Sequence, residues 1–317
     1  VPEIKNGKRR CSVLPYFPFV DDTFKMMMGV TPLHERGLIE VDSEQYREEI
    51  ALKQTLLADA YDEYFRAPAV TELAQWDVVA LLLQDMVARY PHYFELLING
   101  KQWTWRNRLL NDETRFIMGE CASLPLPPLD WVGRQMQEDL LILSGNAADG
   151  MPLVAGQLCF PNGWCLDDKM GKSFLGIHDE VPLFAHYLGR SSSLLLERLK
   201  PERPVWRVNW SLKATPRLNL TPRFFSEEQQ AHLTREDIGA RCFLRLERQT
   251  LSRLPQTGDI LFTIHTYQAP LDTVIESAEV ARRIAGVVRT MPEEMQRYKG
   301  IAAFLDPLLA YLAAKEI

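Results

Sequence analysis

The sequence predicts an α+β chain: a largely antiparallel sheet with helices before and after it. Three observations carry that prediction. Apolar residues recur at helical spacing from Ser43 to Gly145, alternate with a period of two from Met151 to Tyr267, and return to helical spacing from Asp272. A block of strands bracketed by helices differs from the strand–helix alternation of a parallel sheet. With no repeat, no low-complexity linker and no composition shift, residues 1–317 read as a single domain.

The first 30 residues show no period. "SEQYREEIALKQTLLADAYDEYF" then predicts a helix with Ser43 as N-cap, acids in its first turn, and Tyr46, Ile50, Leu57 and Tyr61 along its apolar side. "TELAQWDVVALLLQDMVARYP" predicts a second helix stopped near Pro91. "PPLDWVGRQMQEDLLILSG" predicts a third, capped by Asp130 and closed by Gly145. "MPLVAGQLCFP" reads as a short strand after the turn-like "GNAADG". In "PVWRVNWSL", Val205, Arg207, Asn209 and Ser211 fall on one face and Trp206, Val208, Trp210 and Leu212 on the other. "RCFLRLERQTL" and "GDILFTIHTY" flank the turn signal "LPQTG" and predict an antiparallel hairpin. The C-terminal part is helical, with breaks at "TMPEEM" and Pro307.

Composition excludes several classes. A net charge of -6 gives no support for nucleic-acid binding. No apolar run of about 18 residues predicts a membrane span, and nothing resembles a secretory signal. The five cysteines are scattered, which argues against a disulfide framework and for a reducing, cytoplasmic setting. There is no G-x-G-x-x-G, no P-loop and no G-x-S-x-G, so nicotinamide or flavin chemistry is expected from another chain.

Three stretches could carry chemistry. Arg207 and Asn209 share a strand face, which reads either as a solvated edge or as a site for a carboxylate or small polar ligand. Arg245, Glu247, Arg248, Gln249 and Arg253 crowd one strand and its exit, either as a surface ion-pair ladder or as an anion site. "FPNGWCLDDKMGKSFLGIHDEVPLF" has a tight turn at Asn162–Gly163, a short helix capped by Asp167 or Asp168, and His178 just ahead of Pro182. His178 reads as a turn histidine or as a ligand. A cluster of His178, Asp179, Glu180 and His186 has metal-binding atoms but matches no recognised metal spacing.

Taken in order, "MGVTPL", "QEDLLIL", "LVAGQLCFPNGWCLDDKMGKSFLGIHDEVP", "RPVWRVNWSL", "LERQTLSRLPQTGDILFTIHTY" and "MPEEMQRYKG" resemble the haem-dependent oxidative N-demethylase alpha-subunit-like family, from about residue 17 to about residue 302. The resemblance implies a PAS-like antiparallel sheet holding a b-type haem. It implies oxidation of a small methylated amine, such as dimethylamine, by O2 to the lower amine and formaldehyde. Electrons would come from NAD(P)H through a separate flavin and iron–sulfur reductase subunit.

Matching motif by motif, "IHDEVP" makes His178 the expected axial iron ligand. Lys169 and Arg207 become candidates for the haem propionates, and Arg207 also for the oxygen side. Asn209, Arg248, Gln249, Arg253, His265 and Tyr267 become expected cofactor contacts, with Thr263 beside them. Arg207 and Glu247 are the expected catalytic pair: a cation for developing negative charge and a carboxylate for the ammonium of the amine. Cys159 and Cys165 are the thiolate alternatives to His178. The sequence departs from the family pattern after the histidine, where Asp179 replaces a small neutral residue and Glu180 a proline.

Overall fold

A computed structural model describes residues 14–34, 36–223 and 233–316. Among the described residues, ten strands form two antiparallel sheets. They are β1 (Thr31–Pro32), β2 (Phe65–Arg66), β3 (Phe94–Asn99), β4 (Gln102–Asn107), β5 (Asp112–Ile117), β6 (Asp139–Leu143), β7 (Leu153–Gln157), β8 (Val205–Lys213), β9 (Phe243–Arg253) and β10 (Ile260–Pro270). The large sheet runs β1-β8-β9-β10-β6-β7-β2, and β3-β4-β5 form a separate meander. With helices on both sides of the strand block, this is the expected α+β class.

The hairpin β9–β10 is the spine of the large sheet and pairs from Ile260 with Arg253 to Pro270 with Phe243. Its register with β8 puts Arg207 opposite Gln249, Val208 opposite Arg248, and Asn209 opposite Glu247. Opposed residues share a face. One face therefore carries Arg207, Gln249, Asn209 and Glu247, and the other carries Trp206, Val208, Arg248 and His265. We call them the ligand face and the core face.

On the core face, the helices Tyr46–Asp59 and Glu72–Arg89 and the small sheet bury Leu140, Ile142 and Leu261. On the same face, the helices Ala278–Thr290, Glu293–Tyr298 and Leu305–Lys315 pack over Leu212, Leu244 and Leu246. The ligand face has a smaller cluster. There Leu141, Leu143, Ile260 and Ile264 meet Leu166, Leu196 and Leu199 from the crossover between β7 and β8. That crossover contains His178.

Several sequence expectations need correction. The third helix covers only Pro128–Gly133; its second half is the central strand β6. All five β6 residues are buried, and a strand covered on both faces loses the alternation that would reveal it. Asp130 is no cap: its carboxylate accepts from Arg134 at 2.8 Å and from Gln157 at 2.8 Å. The first helix begins at Tyr46 rather than at Ser43, and Ala60 separates it from the short helix Tyr61–Tyr64. Pro307 does not break the last helix but lies in its first turn, where no backbone N–H is needed. The meander β3-β4-β5 was not anticipated.

Candidate functional site

The site is built where the crossover folds onto the ligand face. Ser173 caps the short helix Phe174–Ile177 by accepting from the Gly176 N–H at 3.2 Å. His178 follows as the C-cap residue, and its Nδ1 lies 2.8 Å from the Phe174 carbonyl. A carbonyl only accepts, so Nδ1 carries the proton and the Nε2 lone pair is left open. The ring stacks on Phe184 at 4.2 Å between centroids with 9° between planes. Burial pushes the His178 pKa down, and the charges of Arg207 and Lys169 push it further. The imidazole is thus held neutral, as a metal ligand requires. Beyond Pro182 the chain is unusual: Leu183 has φ +66°, and a π-helix follows over Ala185–Gly189.

The β8–β9 ladder supplies the rest. Asn209 and Gln249 both donate to one oxygen of Glu247, at 3.2 and 3.1 Å. The other oxygen has Arg245 Nε at 3.6 Å, too long for a hydrogen bond. Arg207 is the unbalanced group: its Nε is buried without a hydrogen-bond partner, as are those of Arg245 and Arg248, but unlike those two it makes no hydrogen bond or ion pair through its other nitrogens. Burial lowers its pKa, and the Glu247 charge opposes that shift. An unpaired buried N–H is costly unless a ligand accepts from it.

The two acids after His178 point outward. Asp179 and Glu180 are both exposed, and Glu180 pairs with Lys169 at 3.0 Å. Lys169 itself is 6% exposed, so its charge already has a carboxylate. The expected cap of the helix Leu166–Lys169 is displaced too: Cys165 is the N-cap, and the Asp168 carboxylate accepts from its backbone at 3.3 Å. Burial raises the thiol pKa of Cys159 and of Cys165, so neither offers a thiolate. Among the described residues, no group of three or more His, Cys, Asp or Glu is placed to hold a bare metal ion, so the four-residue cluster around His178 does not form.

Three of the residues expected at the cofactor lie on the core face instead. Arg248 donates to the Leu38 carbonyl at 3.1 Å and to that of Gly37, with its Nε 3.1 Å from Glu40. His265 Nδ1 lies 2.9 Å from Glu138, and its ring stacks on Tyr267 at 4.2 Å. Tyr267 donates to Glu40 at 2.8 Å, and the neighbouring Thr263 and Thr250 hydroxyls bond each other at 2.7 Å. Arg253 is on the ligand face, but its guanidinium holds the carbonyls of Leu199, Leu196 and Gly258 at 2.7, 2.7 and 2.6 Å. The structure therefore brings together His178, Arg207, Asn209, Glu247 and Gln249, with Lys169 at their margin, and separates them from Arg248, His265, Tyr267 and Arg253.

Sequence reasoning missed Lys299 and Tyr298. Both come from "MPEEMQRYKG", a segment conspicuous as a motif but silent as to role. Lys299 Nζ donates to the Trp210 carbonyl at 2.7 Å and sits 4.5 Å from the centre of the Trp210 ring. The negative charge of Glu247 reaches both Lys299 and Tyr298.

The residues fit a haem, which His178 would hold. A neutral imidazole offers Nε2, Arg207 offers an unpaired N–H, and Leu251, Phe262 and Ile264 give the adjoining sheet surface an apolar character. No helix among the described residues is long and apolar enough to cross a membrane. The chain belongs to the family described as haem-dependent oxidative N-demethylase, alpha subunit-like, whose model matches residues 29–309 and so spans every residue of this site.

Proposed function

From that membership and from the ligand-face geometry, we propose that the chain binds a b-type haem through His178 on a PAS-like sheet. It oxidises a small methylated amine such as dimethylamine with O2, releasing the lower amine and formaldehyde. Electrons come from NAD(P)H through a separate flavin and iron–sulfur reductase. The observation that carries this reading is the state of His178: Nδ1 is committed to the Phe174 carbonyl, Nε2 is open, and the ring is held neutral.

When bound, the haem supplies oxygen activation that no side chain can. The protein's own residues do the rest. Phe174 O and the Phe184 ring fix the orientation of the imidazole. Arg207 presents a charge and an unpaired N–H where negative charge builds on the oxidant. Glu247 receives the ammonium of the amine, with Asn209 and Gln249 holding its carboxylate in place.

The test is a visible spectrum of protein from haem-fed cells, followed by formaldehyde assay with an artificial electron donor, oxygen and a panel of methylated amines. A Soret band and formaldehyde are expected. His178→Ala should lose the tightly bound haem or turn it high-spin, while His186→Ala keeps the wild-type spectrum. His232, a further comparison variant, lies outside the described residues. A wild-type spectrum in His178→Ala would remove the ligand assignment. A well-formed haem with no product on any amine would favour a PAS-like sensor or carrier.

A further inference from the structure

Lys169 holds a charge at the margin of the ligand face with little to balance it. It ends the short helix Leu166–Lys169. The turn beyond is fixed by Gly171 at φ +76°, whose N–H donates to the Leu153 carbonyl of β7 at 2.8 Å. The Lys169 side chain is 6% exposed, yet its ammonium has a single hydrogen-bond partner among the described residues, Glu180 Oε2 at 3.0 Å. An ammonium has three N–H donors, so two are left over. The partner is of a different kind, because the Glu180 side chain is 70% exposed. The pair joins a fixed, buried cation to a carboxylate that water takes back at little cost.

Glu180 is also mounted so that it can let go. It is a middle residue of the turn His178–Val181, in which the Val181 N–H donates to the His178 carbonyl at 2.9 Å. The His178 ring is held separately, by the Phe174 carbonyl and the Phe184 ring. Rotation of the Glu180 side chain therefore frees Lys169 without turning the imidazole. Lys169 is near enough for its charge to act on that ring.

We propose that Lys169 is a carboxylate anchor, and that Glu180 occupies it as an internal stand-in which a haem propionate displaces. This rests on the haem reading above and adds a competitor to it, carried on the same turn as the proposed iron ligand. The exchange conserves charge. Lys169 begins and ends with a carboxylate, whereas a buried ammonium without one is costly. Glu180 passes into water, where most of its side chain already lies. The two spare N–H groups of Lys169 give the incoming propionate more donors than Glu180 uses.

The experiment titrates the haem-free full-length chain with haemin and, separately, with haemin dimethyl ester, whose carboxylates are blocked. The Soret band reads the dissociation constant. Glu180→Gln keeps the shape of the side chain and removes its charge. It should bind haemin about three-fold more tightly than wild type, since an ion pair with one exposed partner need no longer be broken. The same variant should bind the ester no more tightly than wild type, because the ester brings no carboxylate to Lys169. Lys169→Met should weaken haemin binding about ten-fold, and in that background Glu180→Gln should have no effect. The first two comparisons do not require the Lys169 variant to fold. Haemin affinity unchanged or lowered in Glu180→Gln would make the pair purely structural and overturn the inference. Equal tightening for haemin and ester would also overturn it, because that result means a loosened crossover and not a freed anchor. A wild-type chain with no Soret band for either porphyrin would remove the haem reading itself and this inference with it, a result distinct from the other two.

Discussion

The two faces of the central hairpin carry similar residues to opposite ends. Each is lined by a histidine, an arginine and a glutamate drawn from separate segments: His265, Arg248 and Glu138 on one, His178, Arg207 and Glu247 on the other. On the core face the set is closed by charge: Arg248 has two carbonyls and Glu40, His265 has Glu138, and Glu138 also accepts from the Glu40 backbone N–H at 2.8 Å, although Arg248 Nε and Glu138 Oε2 make no hydrogen bond. On the ligand face it is open: Arg207 makes no hydrogen bond or ion pair among the described residues, and His178 bonds through one nitrogen. Burial lowers both histidine pKa values, but beside Glu138 the carboxylate wins and His265 ends up raised. Beside Arg207 and Lys169 there is reinforcement, and His178 ends up lowered. A closed network specifies the fold, whereas an open one is unfavourable until something completes it.

Breaking the closed network should have the largest effect. Glu138→Ala leaves a buried His265 without its counter-charge and the Glu40 N–H without an acceptor. The expected loss is about 3–5 kcal/mol of unfolding free energy, read by urea denaturation. A loss below about 1 kcal/mol would show that the core-face pair is not a stability element.

The same substitution on both faces sharpens the contrast. Arg248→Met should cost about 3 kcal/mol, because two carbonyls and Glu40 lose a fully buried partner. Arg207→Met should change stability by no more than about 1 kcal/mol, and the sign can be stabilising, since the buried charge there is poorly matched. Its cost should appear instead in formaldehyde formation, which is expected to fall about 100-fold. Equal destabilisation by the two variants would mean that the ligand-face arginine is structural.

Much of this contrast was legible in the sequence, but not all. The alternation in β8 and β9 placed Arg207 and Asn209 on one face, and Arg248 opposite Glu247 and Gln249, because period-two patterning fixes sidedness. It left open which face would meet the crossover, since that depends on packing between segments far apart in the chain. Glu138 was hidden for a related reason. "QEDLLIL" is apolar on both sides, so it read as helix, and the partner of His265 was lost with it. Lys299 comes from about 90 residues beyond Trp210, and no local signal shows that its amine meets that carbonyl. His178 was found through its motif, but its tautomer depends on Phe174, which only the backbone fold brings into range.

The smallest predicted effect is the most direct comparison of the two histidines. Folding lowers the pKa of His178, so as pH falls through the ordinary histidine value of about 6.5 the unfolded chain binds the proton more readily and stability is lost. Folding raises the pKa of His265, so its contribution is complete below about 6.5 and is lost as pH rises through the folded value. Glu138 is held low by His265, the Glu40 N–H and Arg248 against its own burial, so its contribution lasts until pH falls through its folded value. In the haem-free chain the histidine slopes oppose and partly cancel. His178→Gln should therefore make stability rise by about 1 kcal/mol relative to wild type as pH drops from about 8 to about 5.5, and His265→Gln should make it fall by a similar amount. The slopes, not the absolute stabilities, carry the comparison, because His265→Gln also disturbs a buried pair. Parallel slopes in the two variants would mean that the faces do not hold their imidazoles in different charge states, and the division between a closed and an open network would have to be drawn elsewhere.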